Sequence, residues 1–109
     1  MKVHSALGPG LLESAYRACL SEELTSQGMK LHCEWPLPIQ YNHTQVDVGY
    51  RVDLLVEDLV VVELKSVQRI VPVHEAQLLS YLKLSKKPVG LLINFNVVHL
   101  RHGIKRKVL

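Results

Sequence analysis

The sequence predicts an α/β fold in which helices cover a mixed β-sheet. Apolar residues recur with helical spacing in two segments, 11–27 and 72–87, and runs rich in β-branched residues lie between them. The nearly continuous apolar run 89–95 indicates a central strand covered on both faces. The order is helix, edge strand, hairpin, helix and central strand, and we expect residues 1–109 to form a single domain.

The first long helix is predicted from about Leu11 to Gln27. LGPG at residues 7–10 is typical of a loop, and Gly28 can end the helix in a left-handed conformation. Between them, apolar or aromatic side chains follow a helical spacing at Leu12, Tyr16, Cys19, Leu20 and Leu24.

The next part of the chain predicts strands. Pro36 and Pro38 remove backbone donors from the segment 29–41, so a strand there should lie at a sheet edge. Residues 42–47 are expected to form a turn. Two runs rich in β-branched residues follow, and they predict an antiparallel hairpin: 48–56 and 59–67.

The length of the hairpin turn decides which side chains face each other. Glu63 and Lys65 share one face of their strand because strand side chains alternate. A two-residue turn would direct Asp53 away from that face, whereas a three-residue turn, 57–59, would set Asp53 directly opposite Glu63. Two facing carboxylates repel each other and attract a cation. We predict the three-residue turn or an equivalent bulge.

The second helix is predicted to begin at Pro72, whose missing N–H would be unpaired in a first turn, and to stop before Pro88. After the central strand, a short strand pair is expected around His102-Gly103. His74, in the first turn of the helix, is interpreted as a partly exposed residue rather than a proton carrier.

Composition excludes several classes of protein. With 48% hydrophobic and 21% charged residues, the chain is neither a disordered tail nor a membrane protein, and no apolar run approaches the roughly 20 residues that cross a bilayer. Cys19 and Cys33 lack CxxC spacing and suit reduced thiols in a cytoplasmic protein. The histidines show no zinc-ligand spacing. The net charge of +3 is compatible with polyanions but is too small to establish such a partner.

Asp53, Glu63 and Lys65 are the candidate chemical groups of the hairpin. Carboxylates can hold a divalent cation, and a lysine two residues on can stabilise the charge of a phosphoryl transition state. The structural alternative is that the two acids pair with Arg51 and Lys65 at a sheet edge, which would be the better interpretation of an arbitrary strand.

The pattern Asp53…Glu63-Leu64-Lys65 resembles the D…(D/E)xK signature of the PD-(D/E)XK nuclease superfamily. Gln77 and Tyr81 match the QxxxY element of several nuclease branches, although both could simply pack the helix. GLLESAY, residues 10–16, has the spacing GxxExxY. With the blocks YRVDLLVE, VVVELKSV, HEAQLLSYLKL, GLLINF and GIKR, nearly the whole chain resembles the GxxExxY protein family, which is placed in that superfamily.

The resemblance implies a restriction-endonuclease-like mixed β-sheet flanked by α-helices. It also implies that Glu13 joins the site, whereas by itself an acid in a first helical turn is explained by the helix dipole. Gln77 and Tyr81 would contact the substrate or position the catalytic groups. The implied site combines catalytic residues Glu13, Asp53, Glu63 and Lys65 with Mg²⁺ or Mn²⁺ held by Glu13, Asp53 and Glu63.

The expected function is hydrolysis of phosphodiester bonds in nucleic acid, with DNA favoured over RNA. Two alternatives stay open: a catalytically silent nuclease-fold module for binding or regulation, and hydrolysis of a nucleotide or another small phosphate. A domain of 109 residues has little surface for gripping a duplex, so it would need a homodimer or a partner protein.

Overall fold

A five-stranded mixed sheet with helices on both faces organises the computed structural model, which describes residues 1–109. A separate two-stranded hairpin projects from it. The elements in chain order are α1 (Lys2–Leu7), α2 (Glu13–Ser26), β1 (Leu31–Pro36), β2 (Ile39–Tyr41), β3 (Thr44–Val46), β4 (Arg51–Val56), β5 (Val60–Lys65), α3 (Pro72–Ser85), β6 (Val89–Asn94), a 3₁₀ helix (Leu100–Gly103) and β7 (Ile104–Val108).

The strand order is β1-β4-β5-β6-β7. Neighbours are antiparallel except for β5 and β6, which are parallel because α3 carries the chain back across the sheet between them. The proline-containing strand β1 lies at an edge, as predicted, and β6 is an interior strand next to the middle strand β5. The predicted mixed sheet flanked by helices is confirmed.

Two apolar clusters cover the two faces of the sheet. On one face α2 buries Tyr16 against Leu64 and Phe95. On the other face α3 packs against β6 so closely that a Cβ added at Gly90 would lie 2.8 Å from Leu78 Cδ1. A larger residue at position 90 would therefore force the buried Leu78 side chain to move. No helix of the chain combines the length and the apolar character that crossing a membrane requires.

The β4–β5 hairpin has the predicted three-residue turn. Val56 pairs with Val60, and Leu54 pairs with Val62. Glu57 and Asp58 take left-handed backbone angles, with φ of 55° and 56°. The Lys30 ammonium lies 2.7 Å from an Asp58 carboxylate oxygen, and the Glu57 N–H donates to the Lys30 carbonyl at 2.8 Å. These contacts hold a turn whose two acidic residues adopt an uncommon conformation.

Two sequence expectations were wrong. Residues 42–47 were expected to form only a turn, yet Thr44–Val46 pairs with β2 as a strand. The turn itself is confined to Asn42 and His43, whose φ of 48° and 62° closes a tight hairpin.

The second error concerns the C-terminal region. The chain has no strand pair around His102-Gly103 but forms the 3₁₀ helix and the single strand β7, which pairs with β6. A Cβ at Gly103 would collide with the Asn94 carbonyl oxygen, so this glycine lets the chain turn closely against the end of β6.

Candidate active site

The β4–β5 ladder stops where its first acidic residues face each other. Regular pairing ends at Leu54 and Val62. Beyond that pair, the Asp53 N–H donates to Glu63 Oε1 at 3.1 Å, and the Leu64 N–H donates to Asp53 Oδ2 at 2.8 Å. The two carboxylates thus accept bonds from the backbone of the facing strand. Asp53 and Glu63 lie across from each other, as the length of the turn predicted.

Glu63 is the more buried of the two acids, with 5% of its surface exposed. Burial, and then the negative charge of Asp53, raise the pKa of Glu63 to about 8, against the opposing effects of the Asp53 N–H and the Lys65 charge. A cation near the pair would oppose this shift, because it stabilises the charged forms of both acids. In the protein without such a cation, the placement of these two acids therefore costs free energy of folding.

Asp53 already has a cationic partner that sequence reasoning missed. Arg17 Nη1 lies 3.1 Å from Asp53 Oδ1, and Arg17 Nη2 lies 3.3 Å from Glu34 Oε1. The structural alternative was that Asp53 pairs with Arg51, and this pair is not found. Arg51 Nη1 instead lies 3.7 Å from Asp47 Oδ1. The only sequence indication of Arg17 was its position four residues after Glu13, which puts both on one side of α2.

A chain of hydrogen bonds connects Lys65 to α3. Lys65 Nζ donates to Gln77 Oε1 at 3.4 Å, and Gln77 Nε2 donates to Tyr81 Oη at 2.9 Å. Burial raises the pKa of Tyr81, with smaller contributions from the charges of Glu63, Tyr50 and Asp53. The four-residue spacing of Gln77 and Tyr81 therefore produces a direct contact between them on the helix face that covers Lys65.

The family model of the PD-(D/E)XK nuclease superfamily matches residues 1–107. The chain belongs to the PD-(D/E)XK nuclease superfamily. The mixed sheet flanked by helices is accordingly a restriction-endonuclease-like fold. Membership indicates a nuclease-type function with nucleic acid as the binding partner, and nucleases of this superfamily generally use divalent metals. No curated protein and no solved structure shows a significant match to the chain.

In this nuclease-superfamily chain, Tyr16 and Glu13 of the GLLESAY segment lie in different environments. Tyr16 is fully buried, stacks on Phe95 with 4.4 Å between ring centroids, donates to the Gly8 carbonyl at 2.5 Å and accepts from the Leu11 N–H at 3.1 Å. Tyr16 thereby fixes the loop that leads into α2. Glu13, the first residue of α2, is half-buried and lines an open cavity of about 380 Å³ with Ser66.

The residues that follow Lys65 are held in place by Asn94, a second residue that sequence reasoning missed. Asn94 is 1% exposed, and its side chain accepts from the Val67 N–H at 3.1 Å and donates to the Val67 carbonyl at 3.0 Å. Ser66 Oγ also donates to the Leu11 carbonyl. An amide at the end of an otherwise apolar strand was the available sequence indication.

His74 contributes to the start of α3. Its Nδ1 accepts from the Val71 N–H at 3.1 Å.

The six predicted site residues come from different sides of the sheet. Lys65, Gln77 and Tyr81 form one hydrogen-bonded chain with α3, and Glu63 lies on the same strand face. Asp53 connects this group to Arg17 on the opposite helix, α2. Glu13 lies one turn before Arg17 and makes no hydrogen bond with the other acids.

No group of three or more His, Cys, Asp and Glu side chains is arranged to hold a metal ion. The donor chemistry nevertheless fits a divalent metal, because carboxylate oxygens are the ligands that Mg²⁺ and Mn²⁺ prefer. Of these two acids, Arg17 contacts only Asp53. The fit therefore depends on these two oxygen donors, with Glu13 as the predicted third.

Proposed function

We propose that residues 1–109 form a Mg²⁺- or Mn²⁺-dependent nuclease domain of the GxxExxY type, which hydrolyses phosphodiester bonds in DNA in preference to RNA. One observation carries this proposal. Asp53 and Glu63 face each other where the hairpin ladder ends, and Lys65 follows on the strand face of Glu63. The superfamily membership supports the same reaction class.

Asp53 and Glu63, with Glu13, would hold the cation in this proposal. When bound, the cation supplies positive charge that balances the carboxylates and polarises the scissile phosphate. The Lys65 ammonium orients the attacking water and stabilises the negative charge that develops on the phosphate oxygens. Water oxygen bonds to phosphorus while the ester P–O bond breaks, and a proton lost by the water is balanced by one gained by the leaving oxygen, which leaves a phosphate monoester and a hydroxyl.

Gln77 and Tyr81 position Lys65 in this reaction rather than react themselves. Gln77 Oε1 accepts from the ammonium, and Tyr81 Oη fixes the orientation of the Gln77 amide by accepting from its nitrogen. The buried position of Tyr81, at 7% exposure, keeps this support rigid. The lysine is thereby held on the same strand face as Glu63.

The domain is expected to act with a second subunit or another protein, because a nuclease must hold its substrate. A specific protein–DNA interface commonly buries about 1,000–2,500 Å² of protein surface. The total accessible surface of this chain is 6785 Å². A homodimer or a partner protein would supply the remaining binding surface.

We also place the protein in the cytoplasm, since Cys19 and Cys33 are free and exposed.

The second candidate is a binding or regulatory module without catalysis. The observation that favours it is the Arg17–Asp53 ion pair, which supplies one of the acids with a cation from the chain itself. Such a module would bind nucleic acid whether or not a divalent cation is present.

Metal-titrated cleavage of single- and double-stranded DNA and RNA tests the proposal. The wild type is compared with Glu63→Ala, and Glu22→Ala on the exposed side of α2 is the matched control. We expect cleavage that requires Mg²⁺ or Mn²⁺, is lost in Glu63→Ala and is retained in Glu22→Ala. Nucleic acid binding without cleavage by a folded wild type would favour the module instead, and equal cleavage by Glu63→Ala would refute this site.

A further inference from the structure

We propose that Arg17 is an internal counter-ion that competes with the divalent cation for the Asp53 carboxylate and thereby sets the cation affinity of the site. The inference rests on the proposed function, because it concerns the same two acids. It assigns to Arg17 an effect on cation affinity that neither the sequence motifs nor the superfamily membership supplies.

The geometry around Asp53 leaves little room for a second cation while Arg17 is in place. Asp53 Oδ1 faces Arg17 Nη1 at 3.1 Å, and Oδ2 accepts from the Leu64 N–H at 2.8 Å. Glu63 Oε1 accepts from the Asp53 N–H at 3.1 Å. A divalent cation binds through carboxylate lone pairs, so its approach to Asp53 Oδ1 displaces the guanidinium or weakens its contact.

Glu34 gives Arg17 a place to remain after it leaves Asp53. Arg17 Nη2 lies 3.3 Å from Glu34 Oε1, so the two ends of one guanidinium contact two different carboxylates. Glu34 has a φ of 48°, and its side chain is 63% exposed. It also falls between Cys33 and Trp35, both of which pair with β4, while Glu34 itself is left out of that pairing. The exposed acid can therefore follow the guanidinium without breaking the sheet.

The Arg17–Asp53 pair is partly buried, so its removal should produce a measurable change in cation affinity. The side chains of Arg17 and Asp53 are 26% and 16% exposed, so their attraction is less screened than that of a surface pair. Removing the guanidinium leaves Asp53 and Glu63 without their nearby cation from α2. Their attraction for an added cation should then increase, while the protein without a cation should become less stable.

Titration of Mn²⁺ alone into the full chain, followed by calorimetry, tests this inference. Arg17→Gln should bind Mn²⁺ roughly tenfold more tightly than the wild type, a factor that corresponds to about 1.4 kcal/mol. Arg106→Gln, on the exposed part of β7, is the matched control and should bind as the wild type does. Arg17→Lys retains the charge without the two-pronged geometry, and its Mn²⁺ affinity should fall between those of the wild type and Arg17→Gln.

Thermal unfolding with and without Mn²⁺ gives a second readout. Arg17→Gln should melt at a lower temperature than the wild type without Mn²⁺, and saturating Mn²⁺ should raise its melting temperature by more. If Arg17→Gln does not fold, Arg17→Lys carries the test, with tighter Mn²⁺ binding than the wild type as the expected result.

The outcomes separate the inference from the proposed function. Unchanged or weaker Mn²⁺ binding by Arg17→Gln, with binding lost in Asp53→Asn, would overturn the competition and leave Arg17 as a structural support of a genuine metal site. Wild-type Mn²⁺ binding by Asp53→Asn would refute the proposed metal site itself, and the inference with it.

Discussion

The two ends of the β4–β5 hairpin are built from the same two strands but are held together differently. Near the turn, Leu54–Val62 and Val56–Val60 are apolar pairs in a regular ladder. At the other end, the carboxylates of Asp53 and Glu63 accept the backbone hydrogen bonds. The apolar end contributes stability, whereas the acidic end places two carboxyl groups where burial disfavours the charged form of Glu63.

This difference shows how a small domain can support a strained site. The Glu63 pKa of about 8 records the cost of the acidic end. The fully buried Leu54, one residue from Asp53, belongs to the apolar cluster that offsets that cost. The comparison predicts that changes at the acidic end affect reaction and pH response, while changes at the apolar end affect stability.

Lys65→Ala should have the largest effect on the reaction. Removal of one group that stabilises transition-state charge typically lowers the rate by about 10²–10³-fold, and we expect a loss of this size with unfolding behaviour close to that of the wild type. Initial cleavage rates measured at saturating Mn²⁺ check this expectation. Lys83→Ala, on the exposed face of α3, is the control and should cleave normally. A Lys65→Ala variant with wild-type rates would remove the lysine from the mechanism.

Leu54→Ala should destabilise the protein at the apolar end of the hairpin. Truncation of a buried leucine typically costs about 2–5 kcal/mol in free energy of unfolding, and Leu54 is fully buried. Urea unfolding monitored by circular dichroism measures the loss. Leu59→Ala, in the turn and 56% exposed, should change stability by far less. Equal losses in the two variants would contradict the assignment of stability to the apolar pairs.

Glu63 should also make stability depend on pH, with a smaller change per pH unit than the loss caused by Leu54→Ala. Its pKa in the folded protein, about 8, lies above its ordinary value of 4.5, so the folded protein binds a proton that the unfolded chain releases within this range. The Glu63 contribution to stability is therefore complete below pH 4.5 and is lost as the pH rises toward 8. The loss approaches about 1.4 kcal/mol per pH unit for one proton.

This pH dependence is measured as the difference in free energy of unfolding between the wild type and Glu63→Gln, in buffers without divalent cations. Because the histidines and other acids are common to both proteins, their contributions cancel in this difference. We expect the wild type to lose stability relative to Glu63→Gln between pH 5 and pH 8. Glu22→Gln should run parallel to the wild type. Parallel curves for Glu63→Gln as well would show that Glu63 is not a buried acid with a raised pKa.

Much of the fold could be predicted because its rules are local. Helical spacing located α2 and α3, and α2 begins at Glu13, two residues after the expected Leu11. Prolines placed β1 at an edge. The errors fell where a glycine or a left-handed residue decides the chain direction, at Asn42–His43 and at Gly103. Propensity alone did not reveal what those residues would pack against.

The candidate site divides in the same way. Strand alternation and a three-residue turn were enough to place Asp53 across from Glu63, and a four-residue helical spacing was enough to join Gln77 to Tyr81. The roles of these groups in catalysis, and of Glu13 with them, stay predictions. Arg17 and Asn94 were missed, although both make hydrogen bonds at the site or beside it.

The sequence by itself determined most of the helices and strands, the odd length of the hairpin turn and the side chains that share a strand face, because each depends on residues a few positions apart. Only the tertiary structure decided that Arg17 would neutralise Asp53, 36 residues away, and that the ladder would open around the two acids. Those contacts depend on how α2 docks across the sheet. The docking is set by the shape and packing of the whole apolar cluster, and a local pattern does not encode it.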